Sequence, residues 1–279
     1  MKLIKTRLGQ SKFYYRSDDR FIGQRVALGK YEPYETKLIL RQLKANQVVI
    51  DVGANIGYYT ILIADKVKKV YALEPDKTNF EILKKNILAN NLKNVVAIRA
   101  AAGSKKSRLN LYKSKENLGD HKLYKIPLVP PERDLSPFEE REKVKVVKLD
   151  ELVKEQVDLI KIDTQGWEPE VMAGAKKIIT KDKPIIFMEY SPARYKIAGL
   201  DGKKMMQFLR KIYKNIWWID EWLYIYKNLE QRKIDAICAT NKTGYADLWM
   251  KKEAGWNDRM ERVKDLKIKN LIKKILKYE

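Results

Sequence analysis

The most constraining feature of the chain is the stretch VVIDVGANIGYYTILIA, residues 48 to 64, in which a short apolar strand turns directly into an apolar helix. An aspartate, Asp51, and two glycines, Gly53 and Gly57, stand at the turn. Glycine has no β-carbon, so the backbone can turn sharply there and come close to a ligand. In α/β sheets, ligands bind outside the carboxyl ends of the strands. The stretch therefore predicts an α/β fold with a ligand site at this turn.

Short apolar runs alternate with helical periodicity through most of the chain. The strand-like runs are QVVIDV, KKVYALE, NVVAIRA, VDLIKID and PIIFMEY. Strands that alternate with helices in this way form right-handed crossovers and a mostly parallel sheet. Residues 1 to 46 precede this pattern and predict a small β-hairpin followed by a helix across YETKLILRQL, both packing on the core. We assign the α/β domain to residues 47 to 255.

Two segments interrupt the alternation. Residues 113 to 142 contain four prolines and many charges, which is typical of a binding loop, a lid or a disordered excursion. Residues 256 to 279 place apolar side chains at helical spacing on one face and lysines on the other, which predicts a basic amphipathic helix. Such a helix docks on the sheet, pairs with a second subunit in a homodimer, or makes a peripheral contact with an anionic membrane.

Composition limits the partners and the kinds of site. Lys+Arg 58 against Asp+Glu 36 gives a net charge of +22, which favours nucleic acid, anionic lipid or acidic glycan, although heat adaptation also enriches lysine. Cys238 is the single cysteine and His121 the single histidine, which excludes disulfides and zinc sites built from cysteine and histidine. No apolar run approaches the length of about 18 residues that a membrane-spanning helix needs. We expect a cytoplasmic protein, with the inner membrane surface as an alternative location.

The residues around the turn indicate which ligand it holds. The sequence reads GANIG, not the G-x-G-x-x-G of dinucleotide sites, and Glu74 ends the second strand 23 residues after Asp51. A carboxylate at the second strand can accept both hydroxyls of a ribose. An acid at the first strand does not suit a diphosphate, but it suits a ligand that carries an ammonium and a sulfonium beside its adenosine. This chemistry points to S-adenosylmethionine.

Seven blocks, in register from about Tyr31 to about Leu209, resemble the FkbM family of S-adenosylmethionine-dependent methyltransferases. They are DVGANIGYYT, EPDKTNFEILKKNILANN, AAGSKKSRLNLY, ENLGDHKLY, KLDEL, DLIKIDTQGWEPEVMAGA and IIFMEYSP. The resemblance implies a Rossmann-like class I methyltransferase fold, with helices on both faces of a seven-stranded, mostly parallel sheet. We assign its one antiparallel strand to residues 245 to 251.

The same resemblance implies the cofactor contacts. The loop on the methionine side comprises Asp51, Gly53, Ala54, Asn55, Gly57 and Tyr58. Glu74 and Pro75 contact the ribose, and Ala101 lines the adenine pocket. A segment that closes over the cofactor is assigned to Glu32, Pro33, Tyr34 and Glu35.

The acceptor must be aligned with the methyl group, and a neutral hydroxyl acceptor also needs a base. Three groups are predicted to converge at the strand ends: His121, Asp163 and Glu189. Histidine titrates near neutral pH and is the natural proton acceptor. Many relatives carry valine and glutamate where this chain has Thr164 and Gln165, which leaves the identity of the base open. As an alternative, Asp163, Glu168 and Glu189 hold a divalent metal, but we do not favour a metal site.

We expect an enzyme that O-methylates a sugar hydroxyl on a glycan, a glycolipid or a glycosylated metabolite. The alternative is a nucleic-acid methyltransferase, suggested by the charge of +22 and by four aromatics that could stack on bases: Trp217, Trp218, Trp222 and Tyr224. Against it, the position after the fourth strand reads DTQGW, which lacks the Pro-Pro-aromatic motif of enzymes that methylate exocyclic amines. A third alternative is a non-enzymatic scaffold that binds a membrane through its C-terminal helix.

Overall fold

A computed structural model describes residues 2–114, 117–125, 140–220, 225–240 and 244–252. The amphipathic helix predicted at 256–279 lies outside the described residues, as does most of the long loop predicted at 113–142. No helix in the described ranges is long and apolar enough to cross a membrane.

The strands are β1 (Leu3–Leu8), β2 (Ser11–Arg16), β3 (Val48–Val52), β4 (Lys69–Leu73), β5 (Val95–Ile98), β6 (Ala101–Ala102), β7 (Ser107–Lys113), β8 (Glu140–Val147), β9 (Leu159–Ile162), β10 (Ile185–Tyr190), β11 (Asn215–Asp220), β12 (Ile225–Asn228) and β13 (Ala246–Lys251). The helices are α1 (Gly23–Ala27), α2 (Pro33–Gln42), α3 (Tyr58–Ala64), α4 (Lys77–Ala89), α5 (Leu149–Leu152), α6 (Glu168–Gly174), α7 (Lys176–Asp182), α8 (Pro192–Ile197), α9 (Gly202–Ile212) and α10 (Gln231–Thr240).

The main sheet has the strand order β12-β11-β13-β10-β9-β3-β4-β5. Strands β5, β4, β3, β9 and β10 pair in parallel, and β13 runs antiparallel between β10 and β11. These seven strands confirm the predicted class I methyltransferase sheet, and β13 confirms the predicted antiparallel strand. An eighth strand, β12, pairs antiparallel with β11 at the edge. The sequence did not predict it, because the continuous apolar run IWWIDEWLYIY does not show where one strand ends and the next begins.

Both faces of the sheet are buried, as expected for parallel strands between two layers of helices. Successive residues of β3 alternate between the layers: Ile50 packs against the cluster with α6, α7 and α9, whereas Val49 packs against the cluster with α2, α3 and α4. The predicted N-terminal hairpin, β1–β2, is present and packs on α4. Its anchor is Asn86, whose amide accepts from the Tyr14 N–H at 2.7 Å and donates to the Tyr14 carbonyl at 3.0 Å.

A small sheet of β6, β8 and β7 follows the third parallel strand. Backbone hydrogen bonds of 2.7 and 2.9 Å between Tyr112 and Lys122 hold the segment 117–125 against β7. The small sheet therefore holds residues 117–125 of the long loop beside the carboxyl ends of the main strands.

Candidate active site

A cavity of about 310 Å³ lies at the carboxyl ends of β3, β4, β9 and β10. This volume is at the lower end of the range for small-molecule sites in proteins. Its walls come from the turn after β3, the end of β4, the alanines around β6, the segment 117–121 and the ends of β9 and β10. Most of the predicted site residues line it: Glu32, Asp51, Gly53, Ala54, Asn55, Tyr58, Glu74, Pro75, Ala101, His121, Asp163 and Glu189.

The glycines of the turn have distinct roles. Gly53 has φ +81°, and a β-carbon there would lie 1.9 Å from the carbonyl oxygen of Asp163, so only glycine lets the end of β3 approach the end of β9. Gly57 has φ +96° and caps the start of α3, where a β-carbon would come within 2.7 Å of Leu83. Gly57 does not line the cavity, so its contribution to the site is the direction of the helix.

Asp51 and Glu74 lie on adjacent parallel strands, as the sequence predicted. Asp51 accepts a hydrogen bond of 2.6 Å from the Thr60 hydroxyl, and burial raises its pKa against the opposing effect of Lys161. The carboxylate of Glu74 accepts the backbone N–H of Asn55 at 2.9 Å and that of Asp76 at 2.8 Å. Burial nevertheless raises the pKa of Glu74 to about 8.

The donor set fits the predicted cofactor. Each oxygen of Glu74 accepts a single backbone hydrogen bond, so the carboxylate keeps acceptor capacity for two ribose hydroxyls. Asp51 is buried and offers negative charge to a cation, and Gly53 lines the cavity beside it. These features match a nucleoside that carries a positive charge.

The segment 117–121 crosses the turn and covers part of the cavity. Two side-chain amides donate to the carbonyl of Leu118, Asn55 at 3.3 Å and Asn79 at 2.9 Å. The sequence analysis missed the roles of Asn79 and Leu118, although both lie inside blocks that carry the family resemblance. Which backbone carbonyl an asparagine contacts across 39 residues is a property of the fold and not of the pattern.

His121 lines the cavity, but its ring nitrogens are engaged. Nδ1 accepts the backbone N–H of Ser114 at 3.0 Å, which assigns the ring proton to Nε2. Nε2 lies 3.9 Å from Asp76 Oδ2, and burial lowers the pKa of the ring. In this arrangement the neutral imidazole has no free lone pair with which to take a proton from an acceptor.

Asp163 lies at the end of β9, and its side chain is 28% exposed. One carboxylate oxygen is 3.3 Å from the ammonium of Lys161, and the other accepts the side-chain amide of Gln165 at 2.7 Å. The ammonium of Lys161 also lies 4.6 Å from the ring centroid of Tyr59. Burial disfavours this ammonium, but nearby carboxylates, Asp163 first among them, outweigh the penalty and raise its pKa.

Glu189 forms a buried ion pair with Arg194, whose guanidinium also lies 5.5 Å from the ring centroid of Tyr245. Burial raises the pKa of Glu189, whereas Arg194 favours its ionised form. Arg194 and Tyr245 both line the cavity, and the sequence analysis named neither. The only sequence signal for Arg194 is its position two residues after the IIFMEYSP block.

The segment predicted to close over the cofactor reaches the cavity through one of its four residues. Glu32 lines the cavity and accepts a hydrogen bond of 2.7 Å from the Tyr59 hydroxyl. Pro33, Tyr34 and Glu35 begin α2 and are not among the lining residues.

The alternative metal site finds no support in the described part of the chain. There, no group of three or more His, Cys, Asp or Glu side chains is placed to hold a metal ion. The carboxylate of Glu168 is engaged by hydrogen bonds from the backbone N–H groups of Thr164 and Gly166 and from the Thr164 hydroxyl.

Comparisons with known proteins match this chain to methyltransferases and to RNA-modifying enzymes. A family model described as "Methyltransferase FkbM domain" matches residues 51–216. The tRNA(Phe) (4-demethylwyosine(37)-C(7)) aminocarboxypropyltransferase of Methanocaldococcus jannaschii is 47% identical over 57 residues, which are 20% of this chain and 23% of that protein. The probable ribosomal RNA small subunit methyltransferase A of Methanosphaera stadtmanae is 37% identical over 57 residues, 20% of this chain and 21% of that protein. The chain thus matches less than a quarter of the length of each relative.

Among solved structures, a methyltransferase FkbM from Methylobacillus flagellatus KT is 16% identical, with a TM-score of 0.46. The match covers 74% of this chain and 43% of that chain.

Proposed function

This chain belongs to the FkbM methyltransferase family, and we propose that it O-methylates a sugar hydroxyl on a glycan, a glycolipid or a glycosylated metabolite. The family match spans residues 51–216, more than half of the chain, and makes the protein an S-adenosylmethionine-dependent methyltransferase. The acceptor and the roles of individual residues are the parts that we propose.

The residues around the turn after β3 would hold the donor. We assign the methionine side to Asp51, Gly53, Ala54, Asn55 and Tyr58, with Gly57 setting the start of α3. Glu74 and Pro75 would hold the ribose, and Ala101 the adenine. When bound, S-adenosylmethionine supplies a methyl carbon that its sulfonium has already activated for displacement.

The charge of the cavity is the observation that carries the proposal for the acceptor. Three cations line it, Arg25, Lys161 and Arg194, against six carboxyl groups: Glu32, Asp51, Glu74, Asp120, Asp163 and Glu189. The carboxyl groups outnumber the cations even when Glu74, whose pKa is about 8, is left out. A negative cavity in a chain of net charge +22 does not suit a phosphate-rich acceptor. Carboxylates do accept hydrogen bonds from hydroxyls, and several such acceptors close together suit a neutral sugar.

We assign the general base to Asp163. Its side chain is the accessible carboxylate at the end of β9, and the ammonium of Lys161 lies 3.3 Å from it. Glu189, fixed by Arg194, would orient the sugar through a second hydroxyl. His121 would act as the base only after its hydrogen bond with the Ser114 N–H is broken. We therefore favour Asp163 over His121 as the base.

The proposal is tested by following a labelled methyl group. Purified protein would be incubated with methyl-labelled S-adenosylmethionine and, separately, with neutral oligosaccharides, glycolipids and total RNA from the host. We expect label in a sugar ether of the carbohydrate or glycolipid fraction, located by mass spectrometry. Label that enters RNA alone would show that the acceptor assignment is wrong while leaving the methyltransferase activity established.

The second candidate, methylation of RNA, is favoured by the net charge of +22 and by the RNA-modifying relatives. The aromatics predicted as a stacking platform give it less support. Trp217 is buried and stacks on Trp249 with ring centroids 4.7 Å apart, and Trp218 packs against the core. Trp222 and Tyr224 lie outside the described residues. An RNA substrate would bind with an affinity that falls steeply with salt in a gel-shift assay, and affinity that does not change with salt would exclude this candidate.

A further inference from the structure

A second cavity, of about 290 Å³, lies beside the small sheet. Its lining contains four cations and two apolar residues: Arg99, Arg108, Lys143, Lys145, Pro75 and Val144. Pro75 also lines the candidate active site, so the two cavities are neighbours. The charge of the second cavity is opposite to that of the first.

The strand register brings the cations together. Arg108 on β7 lies directly opposite Lys145 on β8, and Lys143 stands two residues along β8, on the same face as Lys145. All three side chains are exposed. Like charges directly opposite each other in an antiparallel pair are destabilising, so this arrangement opposes the stability of the empty protein.

The charge of this cluster is compensated at one point. Arg99 forms an ion pair with Glu142. Within the described ranges, no carboxylate lies within ion-pair distance of Arg108, Lys143 or Lys145. Among the residues that the structure describes, these three neighbouring positive charges at the wall of a cavity therefore have no acidic partner.

We propose that this second cavity binds the di- or triphosphate group of a small ligand. One phosphate monoester carries about −1.5 to −2 charge near neutral pH, so two or three linked phosphates match three free cations. The guanidinium of Arg108 can bind phosphate oxygens in a bidentate manner, whereas Lys143 and Lys145 act as point charges. The carboxylates of the first cavity repel the same group, so the two cavities select different chemical groups. This proposal does not depend on the identity of the methyl acceptor.

Calorimetric titration of the full chain with inorganic tripolyphosphate tests the site. We expect the wild-type protein to bind it with an affinity that falls as salt is added. The variant Arg108→Gln/Lys143→Gln/Lys145→Gln should bind at least about tenfold more weakly, because each lost charge-assisted hydrogen bond contributes to the affinity. The matched control is Lys66→Gln/Lys68→Gln/Lys93→Gln, which removes the same amount of charge from three exposed lysines. These lysines precede β4 and β5, whereas Pro75 and Arg99 of the second cavity follow the same two strands. The control should keep wild-type affinity within about twofold.

Thermal unfolding separates binding from a structural role. Without ligand, the triple variant at the cavity should unfold at the wild-type temperature or above it, because the mutual repulsion is removed. Tripolyphosphate should raise the unfolding temperature of the wild type and of the control variant but not that of the cavity variant. Equal loss of affinity in the control variant would overturn the proposal, as would a destabilised cavity variant. Binding to phosphatidylglycerol vesicles without binding to tripolyphosphate would also overturn it, in favour of a membrane-contacting surface.

Discussion

The side-chain amide of Gln165 donates a hydrogen bond of 2.7 Å to Asp163, the carboxylate that we assign as the general base. Gln165 lies three residues after the end of β9 and has a left-handed backbone conformation with φ 55°. A glutamate in its place would set a second carboxylate beside the first and repel it, whereas the glutamine supplies a neutral donor to the base.

Replacement of Gln165 by glutamate should slow methyl transfer. The glutamate would remove the hydrogen bond of 2.7 Å to Asp163 and place a second carboxylate beside the assigned base, so we expect kcat/KM to fall by about tenfold. Steady-state kinetics with saturating cofactor measure this loss. Gln165→Met is the control, since it removes the hydrogen bond without adding charge and should lose less activity. An unchanged kcat/KM in Gln165→Glu would show that Gln165 does not support Asp163.

Cofactor binding should strengthen as the pH rises through about 8. Burial raises the pKa of Glu74 to about 8 in the free protein, so at neutral pH the carboxyl is largely protonated and must lose its proton to accept both ribose hydroxyls. Calorimetric titration with the demethylated cofactor product should therefore show proton release at pH 7 and little release at pH 9. Glu74→Gln should weaken binding by about tenfold at pH 9 and abolish the proton release. Proton release that persists in this variant would assign the titration to another group.

Much of the fold follows from local patterns. The apolar runs and helical periodicity predict the parallel strands and their crossovers, because the spacing of apolar residues is visible over short stretches of sequence. The antiparallel strand, β13, comes instead from the resemblance to the FkbM family. Likewise, the turn around Gly53 and the acids Asp51 and Glu74 could be placed at adjacent strand ends, because parallel strands direct their carboxyl ends to one edge of a sheet.

The contacts within the site could not be predicted in the same way. The bond between Asn79 and Leu118, the ion pair of Glu189 with Arg194 and the engagement of His121 by Ser114 depend on how loops fold back over the sheet. A histidine in a loop gives no sign in the sequence of which ring nitrogen is free. The same limit applies to the second cavity. The basic residues of β7 and β8 are unremarkable in each strand alone, and only the pairing of the two strands sets Arg108 opposite Lys145.

Replacement of Gly53 by alanine should be far more harmful than the same change at another glycine with positive φ. At Gly53 a β-carbon would lie 1.9 Å from the Asp163 carbonyl, so the ends of β3 and β9 would have to separate. We expect a loss of about 3 kcal/mol or more in the free energy of unfolding, measured by urea denaturation. Gly29→Ala is the control: its φ is +67° and no atom lies within 4 Å of the added carbon, so it should cost about 1 kcal/mol. Equal costs at the two positions would mean that the close approach of the strands is not required.

The assignment of the base is decided by two isosteric substitutions. Asp163→Asn removes the base while keeping its shape, and we expect kcat to fall by about 100-fold or more. His121→Asn keeps an acceptor for the Ser114 N–H but cannot take a proton, and we expect kcat to change by less than about threefold, since the ring nitrogen that accepts this bond is already engaged. Binding of the demethylated product should be unchanged in both variants, which separates a loss of chemistry from a loss of the cofactor site. A 100-fold loss in His121→Asn with an active Asp163→Asn would instead make His121 the base, and would mean that the segment 117–121 rearranges when the acceptor binds.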